Sequence, residues 1–327
     1  MANTQRGVHA ASPGGDSPSA IEAREARPVS TDPILARPRR GFYTRAWHSL
    51  RRDPVSLCAA TVLGLIIAVT LLAPAISTNI LHTTPETIIR TADGRIAVLQ
   101  PPGPGYLLGT DDLGRDVLTR LLYAGQVSLT IGFLVAAISI AIGAPAGLVA
   151  AYFGGLVDDT VNAIVQFVFN IPGLFVLILL STLLRPNMIT LSLIFGFFFW
   201  PGTARQVRGV TLSVRALDYV TAARALGAND VRIIVRHLMP NVLNVMMVTA
   251  GLDVAGAILG ESALSFLGFG VQVPLASWGN MLSNSQELFR RAPWLVLPPG
   301  GMIFLTVLSV VLLADGLRDA FDPRLQR

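Results

Sequence analysis

Long apolar runs alternate with shorter polar segments along this chain. Six of the runs have about 20 residues, the length that a helix needs to cross the hydrocarbon core of a bilayer. They are Val55–Ile76, Val127–Tyr152, Thr160–Leu184, Ile189–Ala204, Pro240–Gly260 and Leu295–Ala314. The pattern therefore predicts an all-α membrane protein with six transmembrane helices.

The polar segments divide the chain further. Residues 1–40 are rich in Ala, Pro, Ser, Gly and Arg and hold few large apolar side chains, so we predict a disordered cytoplasmic extension. Residues 41–54 mix aromatic and basic side chains, which is typical of a segment at the membrane surface. Residues 55–327 form the predicted six-span domain. Within it, segments 77–123 and 261–294 are predicted to face outward, and segment 205–240 to face the cytoplasm.

Composition supports a membrane protein. Hydrophobic residues make up 52% of the chain and charged residues 14%, whereas about a quarter of the residues in a soluble domain are charged. The net charge of +5 does not by itself indicate nucleic acid, because basic residues beside apolar spans set orientation in the membrane. The single cysteine, Cys58, excludes an internal disulfide or a cysteine metal cluster.

The arginines predict the topology. A cluster of them precedes the first span, and such clusters stay in the cytoplasm. It consists of Arg37, Arg39, Arg40, Arg45, Arg51 and Arg52. Six spans then return the C-terminus to the cytoplasmic side. Segment 77–123 holds four Arg and five acidic residues and faces outward in this arrangement.

Segment 205–240 carries six Arg and two Asp between apolar runs. We predict a short helix from Asp218 to Ala228, with Thr221, Arg224 and Asp218 on one side. The other side is an apolar arc of about 140° at 100° per residue, formed by Tyr219, Ala222, Ala223, Leu226 and Gly227. Its small residues make this face shallow, so that another protein's backbone can approach closely.

Two signals end this helix and begin the next one. Gly227 breaks the first helix. Asn229 or Asp230 can cap a second one, which runs to Pro240.

The spacing of this segment resembles the EAA loop of the membrane subunits of ABC importers: two Ala, three residues, Gly, nine residues and an apolar stretch ending in Pro. In that family the loop forms the coupling helix, which sits in a cleft on the ATPase subunit. Thr221 stands here where the family has Glu, and His237 and Met239 replace the usual Ile and Leu. The resemblance assigns ATPase coupling to Asp218, Tyr219, Ala222, Ala223, Arg224, Leu226, Gly227 and Pro240.

Other strings resemble the dipeptide, oligopeptide and nickel class of these permeases. They are RHLMPN at 236–241, GTDDLGRD at 109–116, LSFLGFG at 264–270, SWGNML at 277–282 and DGLRDAFDPRL at 315–325. The resemblance covers about Val55 to Leu325. It implies the type I ABC importer permease fold in the bacterial inner membrane, with both termini in the cytoplasm.

The function implied by this resemblance is that of a non-catalytic importer subunit. It forms half of a path for di- or oligopeptides, delivered by an extracytoplasmic binding protein. A homologous second permease, two ABC ATPase subunits and membrane lipid are the implied partners, without nucleic acid. ATP and Mg belong to the ATPase subunits, because this chain has no GxxxxGK[ST] string and binds no cofactor itself. Nickel, glutathione or another small solute is the alternative cargo.

Two other classes of function compete with an importer subunit. A secondary transporter or channel would show inverted repeats or more charges inside the spans. An intramembrane enzyme is suggested by Ser262 in GESAL, but the string is not a GxSxG motif, and HExxH is absent from the sequence. In GTDDLGRD the acidic turn could suggest a cation site, although such turns without a fuller ligand set are usually structural.

Polar residues inside the spans are candidates for the translocation path. Asn162, Gln166 and Asn170 recur every four residues, and Pro172 is expected to kink their helix and free the carbonyl of Val168. Such a stripe either joins helices or lines a path. Asp253 lies inside the fifth span, and Thr249 lies one turn earlier on the same face. These two residues also either join helices or line the path, and their common face slightly favours a surface in contact with water.

Deletion of residues 1–40 should leave transport unchanged, because this segment lacks the apolar side chains needed to fold alone. Uptake measured at matched expression tests this. Loss of most of the uptake would instead identify the segment as a functional arm.

Overall fold

The computed structural model describes residues 50–184, 187–272, 274–283 and 285–321. The predicted extension 1–40 and most of the interfacial segment 41–54 lie outside this part. Within it, the regular structure is helical and the extended pairings are isolated bridges, which confirms the all-α prediction. The α-helices are α1 Pro54–Leu71, α2 Ala73–Ile76, α3 Val117–Phe153, α4 Gly155–Asn170, α5 Gly173–Leu184, α6 Met188–Arg215, α7 Asp218–Ala225, α8 Asp230–Ile233, α9 Met239–Phe266, α10 Ser285–Leu288 and α11 Leu297–Phe321.

Short 3₁₀ turns, which are tighter than an α-helix, and short π-helical turns, which are wider, join some of these helices. Ser77–Leu81 and Ile234–Leu238 are π-helical, and the second makes α8 and α9 continuous. Asn280–Leu282 and Pro293–Leu295 are 3₁₀ turns. The stretch from Asp230 to Phe266 therefore behaves as one long helix.

Among the described residues, four helical stretches are long and apolar enough to cross a membrane. They are Pro54–Leu71, Val117–Phe153, Asp230–Phe266 and Pro293–Phe321. A fifth is formed if α4 and α5, which meet at a 73° bend, are counted as one broken span. The predicted span Ile189–Ala204 lies within α6, which does not meet the same criterion. The structure thus supports four or five of the six predicted spans.

Several helix boundaries differ from the bounds of the predicted segments. Segment 77–123, predicted to face outward, overlaps α3, because the carboxylate of Asp116 accepts a hydrogen bond from Thr119 N (2.7 Å) and starts α3 there. Segment 261–294, also predicted to face outward, overlaps the end of α9, which continues to Phe266. In segment 205–240 the first part is the end of α6.

The bend of the third span differs in one detail from the prediction. The chain turns at Ile171 and Pro172, between α4 and α5. The carbonyl of Val168 is not freed there, because it accepts a hydrogen bond from Ile171 N at 3.2 Å.

Helix α1 begins at a capped Asp residue. Asp53 accepts hydrogen bonds from Val55 N and Ser56 N, and Pro54 occupies the first helical position. The hydrogen bonds from the Ser56 hydroxyl and N–H lower the pKa of the Asp53 carboxyl.

Helices α3 and α6 run parallel in close contact. Ser139 Oγ lies 2.7 Å from Thr203 Oγ1, and Arg215 Nη1 donates to Ala151 O at 2.7 Å. Both pairs are 64 residues apart in sequence, so the contacts follow the same order along both helices. Gly143 faces the backbone of α6, where an added Cβ would lie 2.5 Å from Trp200 O.

The remaining long helices pack antiparallel to their neighbours. Gly132 of α3 faces Val254 and Ile258 of α9, while Leu148 near the other end of α3 shares a cluster with Val242. In the same manner α11 lies against α9, where Gly251 meets Ala314. Helix α1 lies against α11, where Ser56 is in close contact with Gly316.

The substitution Gly143→Ala should destabilise the protein by about 1–3 kcal/mol, because its methyl group would overlap backbone atoms that can move little. Gly202→Ala is the matched control on α6, since its Cβ would meet nothing within 4 Å. Thermal unfolding in detergent measures both. Equal melting temperatures for the two variants would contradict the close contact of α3 with α6.

Candidate coupling surface and translocation path

The coupling segment, residues 205–240, forms the predicted pair of short helices. The first helix is α7, and Gly227 follows it with a φ of +83°, a left-handed conformation that favours glycine. Asn229 is the cap of α8, since its side chain accepts from Arg232 N at 2.9 Å. Pro240 is the second residue of α9 and directly follows the π-helical turn Ile234–Leu238 and Met239.

One side of α7 packs inward. Val220 is 1% exposed and belongs to a cluster with Ile233, Leu238 and Val242. Arg224, one turn later on the same side, lies over the ring of Tyr152, with 5.4 Å between the guanidinium carbon and the ring centroid. Arg224 was predicted as a coupling residue, and in this structure it contacts its own chain.

The other side of α7 is the apolar arc predicted from the sequence, and it is open. Leu226 is 88% exposed and Tyr219 is 45% exposed. Asp218, Ala222 and Gly227 are also exposed, and Ala223 is half-buried. The structure therefore brings Ala222, Leu226 and Gly227 together on a shallow, open surface, and at its edge the Tyr219 hydroxyl accepts a hydrogen bond from Asn241 Nδ2 at 3.3 Å.

Sequence reasoning missed two exposed apolar residues that follow this surface in the chain. Val231 and Val235 are 68% and 60% exposed and lie one turn apart after Gly227. Apolar residues at this spacing are normally buried, so the signal was present in the sequence. The sequence did not show which apolar residue of this turn is buried, and the structure shows that it is Ile233.

The predicted polar stripe on α4 separates into two parts. Asn162 Nδ2 donates to Asp158 Oδ1 at 2.8 Å, and Asp158 accepts two hydrogen bonds of 2.6 Å from Arg208 of α6. This part joins helices. Gln166 and Asn170 are exposed, and Asn170 Nδ2 donates to Gln166 O at 2.8 Å within the same helix, so this part is available to a path.

Asp253 and Thr249 both contact α6. Asp253 Oδ2 accepts from Thr203 Oγ1 at 3.1 Å, and Thr249 Oγ1 donates to Gln206 Oε1 at 3.0 Å. Thr249 is 1% exposed, so the expected wet surface is wrong for this residue, because Gln206 covers it. Asp253 is half-buried.

A buried carboxyl group that sequence reasoning missed holds the outward segment. Glu261 Oε1 accepts from Ser265 Oγ at 2.6 Å and from Ser277 Oγ at 2.7 Å. Next to it, Trp278 Nε1 donates to Leu121 O of α3 at 3.1 Å. The strings that contain these residues are therefore contacts between α9, the outward segment and α3. Ser262 Oγ is buried and has no hydrogen-bond partner in the described residues.

The GTDDLGRD turn lines a cavity of about 290 Å³ together with the segment that follows α9. Asp111 in this turn accepts from Leu113 N and Arg115 N at 2.9 and 2.8 Å, and from Arg115 Nε at 2.7 Å. The side chain of Asp111 thus stabilises the turn, in agreement with a structural role for this acidic turn. Across the described residues, no group of three or more His, Cys, Asp or Glu could hold a metal ion.

Comparisons with known proteins identify similar chains. Residues 143–327 match the model of a family described as binding-protein-dependent transport system inner membrane component. The dipeptide transport system permease protein DppC of Bacillus subtilis is 35% identical over 294 residues, covering 90% of this chain and 89% of the relative. DppC of Alkalihalophilus pseudofirmus is 32% identical, with 94% and 100% covered. The oligopeptide transport system permease protein OppC of Mycobacterium tuberculosis is 40% identical, with 69% and 79% covered.

The substitution Thr203→Val should lower the free energy of unfolding by about 0.5–2 kcal/mol, since it removes the hydroxyl that joins Ser139 and Asp253 across three helices. Thr182→Val is the control, because that hydroxyl donates to Leu179 O of its own helix. The melting temperature of the purified protein is the measurement. A larger loss for Thr182→Val would show that the contact between α3, α6 and α9 does not stabilise the protein.

Proposed function

This chain belongs to the family of binding-protein-dependent transport system inner membrane components, and from this membership we propose that it is the transmembrane subunit of an ATP-driven peptide importer. Relatives that carry the names dipeptide and oligopeptide permease favour di- or oligopeptides over nickel, glutathione or another small solute as cargo. An extracytoplasmic binding protein would deliver the peptide.

The open face of α7 is the observation that carries this proposal. Leu226 projects from it at 88% exposure, on the side of α7 opposite to buried Val220. An exposed apolar patch of this kind marks a protein interaction site, and the EAA-like spacing supports the ATPase subunit as the partner. ATP and Mg would then be bound and used by two such subunits, with this chain non-catalytic.

We infer that α6 is the remaining span and that the fold has six. The apolar half of α6 follows α3 in parallel, and α3 itself meets the criterion for a membrane span. If two parallel helices both span the membrane, the chain must cross back once between them. Helices α4 and α5 together provide this crossing as a broken helix. The continuation of α6 beyond Ala204 carries Arg205, Arg208 and Arg215, which lowers its average hydropathy.

The same contacts favour a cytoplasmic position for both termini. The start of α1 lies against the end of α11, and the end of α11 lies near the first half of α9. These ends therefore share one side of the bundle with the coupling segment. That segment carries six Arg, and loops rich in Arg remain in the cytoplasm.

A transport mechanism follows from this arrangement. This chain and a homologous permease would enclose one path, with Gln166, Asn170 and Asp253 as candidate lining residues of this chain. Two ATPase subunits closing on ATP would draw the coupling segments together and switch access between the two sides. Cargo and nucleotide must then bias the same equilibrium, since their binding is linked. A secondary transporter or channel would not need the open face of α7.

The substitution Leu226→Arg should reduce the amount of ATPase that copurifies with this chain at least several-fold and stop ATP-dependent uptake, because it places a charge on the centre of the docking face. Membrane insertion should stay normal, since Leu226 contacts solvent here. Gly227→Trp is a less specific probe, because its positive φ strains any side chain, and Ala223→Arg would disturb a half-buried position.

Leu107→Arg is the matched control, an exposed leucine in the segment before α3. This variant should retain the ATPase. Normal ATPase copurification with Leu226→Arg would refute docking at this face.

A further inference from the structure

Tyr152 stands at the end of α3 and touches both helices of the coupling segment. Its hydroxyl donates to Asp230 Oδ1 at 2.6 Å, and Asp230 is the first residue of α8. Its ring lies under the guanidinium of Arg224, which belongs to α7, at 5.4 Å. One side chain of a separate membrane helix therefore connects the two short helices on either side of Gly227.

The ring of Tyr152 is fixed in place by packing. It is 4% exposed and belongs to a cluster that contains Val220 of α7 and Ile233 of α8. A buried tyrosine hydroxyl needs a hydrogen-bond partner, and Asp230 supplies a charged one. Because Asp230 itself is exposed, this contact reaches from the buried cluster to the surface of the coupling segment.

The last turn of α3 is also held from α6. Arg215 Nη1 donates to Ala151 O at 2.7 Å, which satisfies one of the carbonyls left free at a helix C-terminus. Three elements of the cytoplasmic side, the end of α6, α7 and α8, thus meet at two neighbouring residues of α3.

The opposite end of α3 is fixed to the outward segment. Trp278 Nε1 donates to Leu121 O, and Trp278 N donates to Ser128 Oγ, both at 3.1 Å. Between these two ends α3 is one helix of 37 residues, about 55 Å long at 1.5 Å per residue. A continuous helix attached at both ends can couple two distant sites physically.

We propose that Tyr152 is a positioning residue that transmits displacement of the coupling segment into α3 and so to the outward side. The proposal rests on the proposed function, because it assigns a route to the movement that ATPase closure would cause. The hydroxyl contact with Asp230 fixes α8 to α3, and the ring contact with Arg224 fixes α7. When the ATPase moves the coupling segment, α3 moves with it as one body.

The substitution Tyr152→Phe removes the hydroxyl and keeps the ring, so it tests the link to α8. In the complex purified through a tag on this chain and reconstituted in lipid, the amount of a radiolabelled tripeptide transported per ATP hydrolysed should fall about ten-fold, as expected for loss of a hydrogen bond to a charged group. A purely structural role would lower uptake and hydrolysis together and leave this ratio unchanged. Tyr123→Phe is the matched control, since it removes a hydroxyl contact with Ser77 (3.2 Å) nearer the other end of α3.

Variants of Asp230 test whether the same contact is involved. Asp230→Ala should lower the ratio as much as Tyr152→Phe does, whereas Asp230→Asn keeps an Oδ1 acceptor and should retain it. The double variant Tyr152→Phe/Asp230→Ala should be no worse than either single variant, because both remove one interaction. Additive losses would overturn the assignment of the two residues to one contact.

A distance measurement tests the transmission without any cargo. Spin labels at Arg232→Cys on α8 and Phe133→Cys on α3, in a Cys58→Ser background, report the separation of the two helices, roughly 30 Å by the length of α3 between Phe133 and Tyr152. In the otherwise unaltered complex the distance should be narrow and the same with and without an ATP analogue. With Tyr152→Phe it should become broad or change with nucleotide.

The outcomes separate this proposal from the proposed function. An unchanged transport ratio and an unchanged distance distribution in Tyr152→Phe would overturn the role of Tyr152. In that case, loss of ATPase copurification in Leu226→Arg would still support docking at α7. Retention of the ATPase by Leu226→Arg would refute the docking itself, whatever Tyr152 does.

Discussion

The close parallel contact between α3 and α6 is the constraint on which the rest of the structure depends. Gly143 allows the two backbones to approach where a side chain would not fit. This approach brings Ser139 and Thr203 within hydrogen-bond distance and aligns the ends of both helices, so that Arg215 reaches the carbonyl of Ala151. In lipid, where apolar surfaces gain little by associating with each other, such packing between small residues supplies much of the attraction between helices. The positions of α9 and of the coupling segment follow from it.

Polar groups within the bundle are placed where a neighbouring helix can satisfy them. Asp158 pairs with Arg208 through two hydrogen bonds, Asp253 accepts one from Thr203, and Glu261 accepts one from Ser265 and one from Ser277. A charge at the centre of a span costs about 2.5–3.5 kcal/mol on insertion scales, and these partners offset part of that cost. The contacts of Asp158 and Asp253 also fix the rotation of one helix relative to the next, whereas Glu261 fixes the segment that follows α9. The polar residues therefore specify which faces of the helices meet, and the glycines determine how closely they meet.

The sequence predicted the helical class, most of the spans and the open face of the coupling segment, because these depend on hydropathy over many residues and on local spacing. It did not predict that α3 begins at Val117, since the first turns of α3 contain Arg120 and are less apolar than the rest. The direction in which Thr249 and Arg224 point was also missed. That direction depends on Gln206 and Tyr152, which are distant in sequence, and helical periodicity alone places a residue on a face without stating what covers that face. The exposure of Val231 and Val235 was missed for the same reason.

The short helix α7 has an inner face that packs against the bundle and an outer face that is open. In α7 the side chains of Val220 and Arg224 lie one turn apart and face the bundle, whereas Ala222 and Leu226 face away from it. A helix with an apolar face would ordinarily bury that face against its own chain. Here the larger apolar arc is left open and a single valine anchors the helix, so α7 is held by few contacts of its own. With so few contacts, α7 would move independently of the bundle when a protein binds its outer face. A second attachment to the bundle prevents this. Arg224 and Asp230, on either side of the reversal at Gly227, provide that attachment through Tyr152. The attachment of the open face of α7 to the membrane helices thus rests on these few polar contacts rather than on a large buried interface.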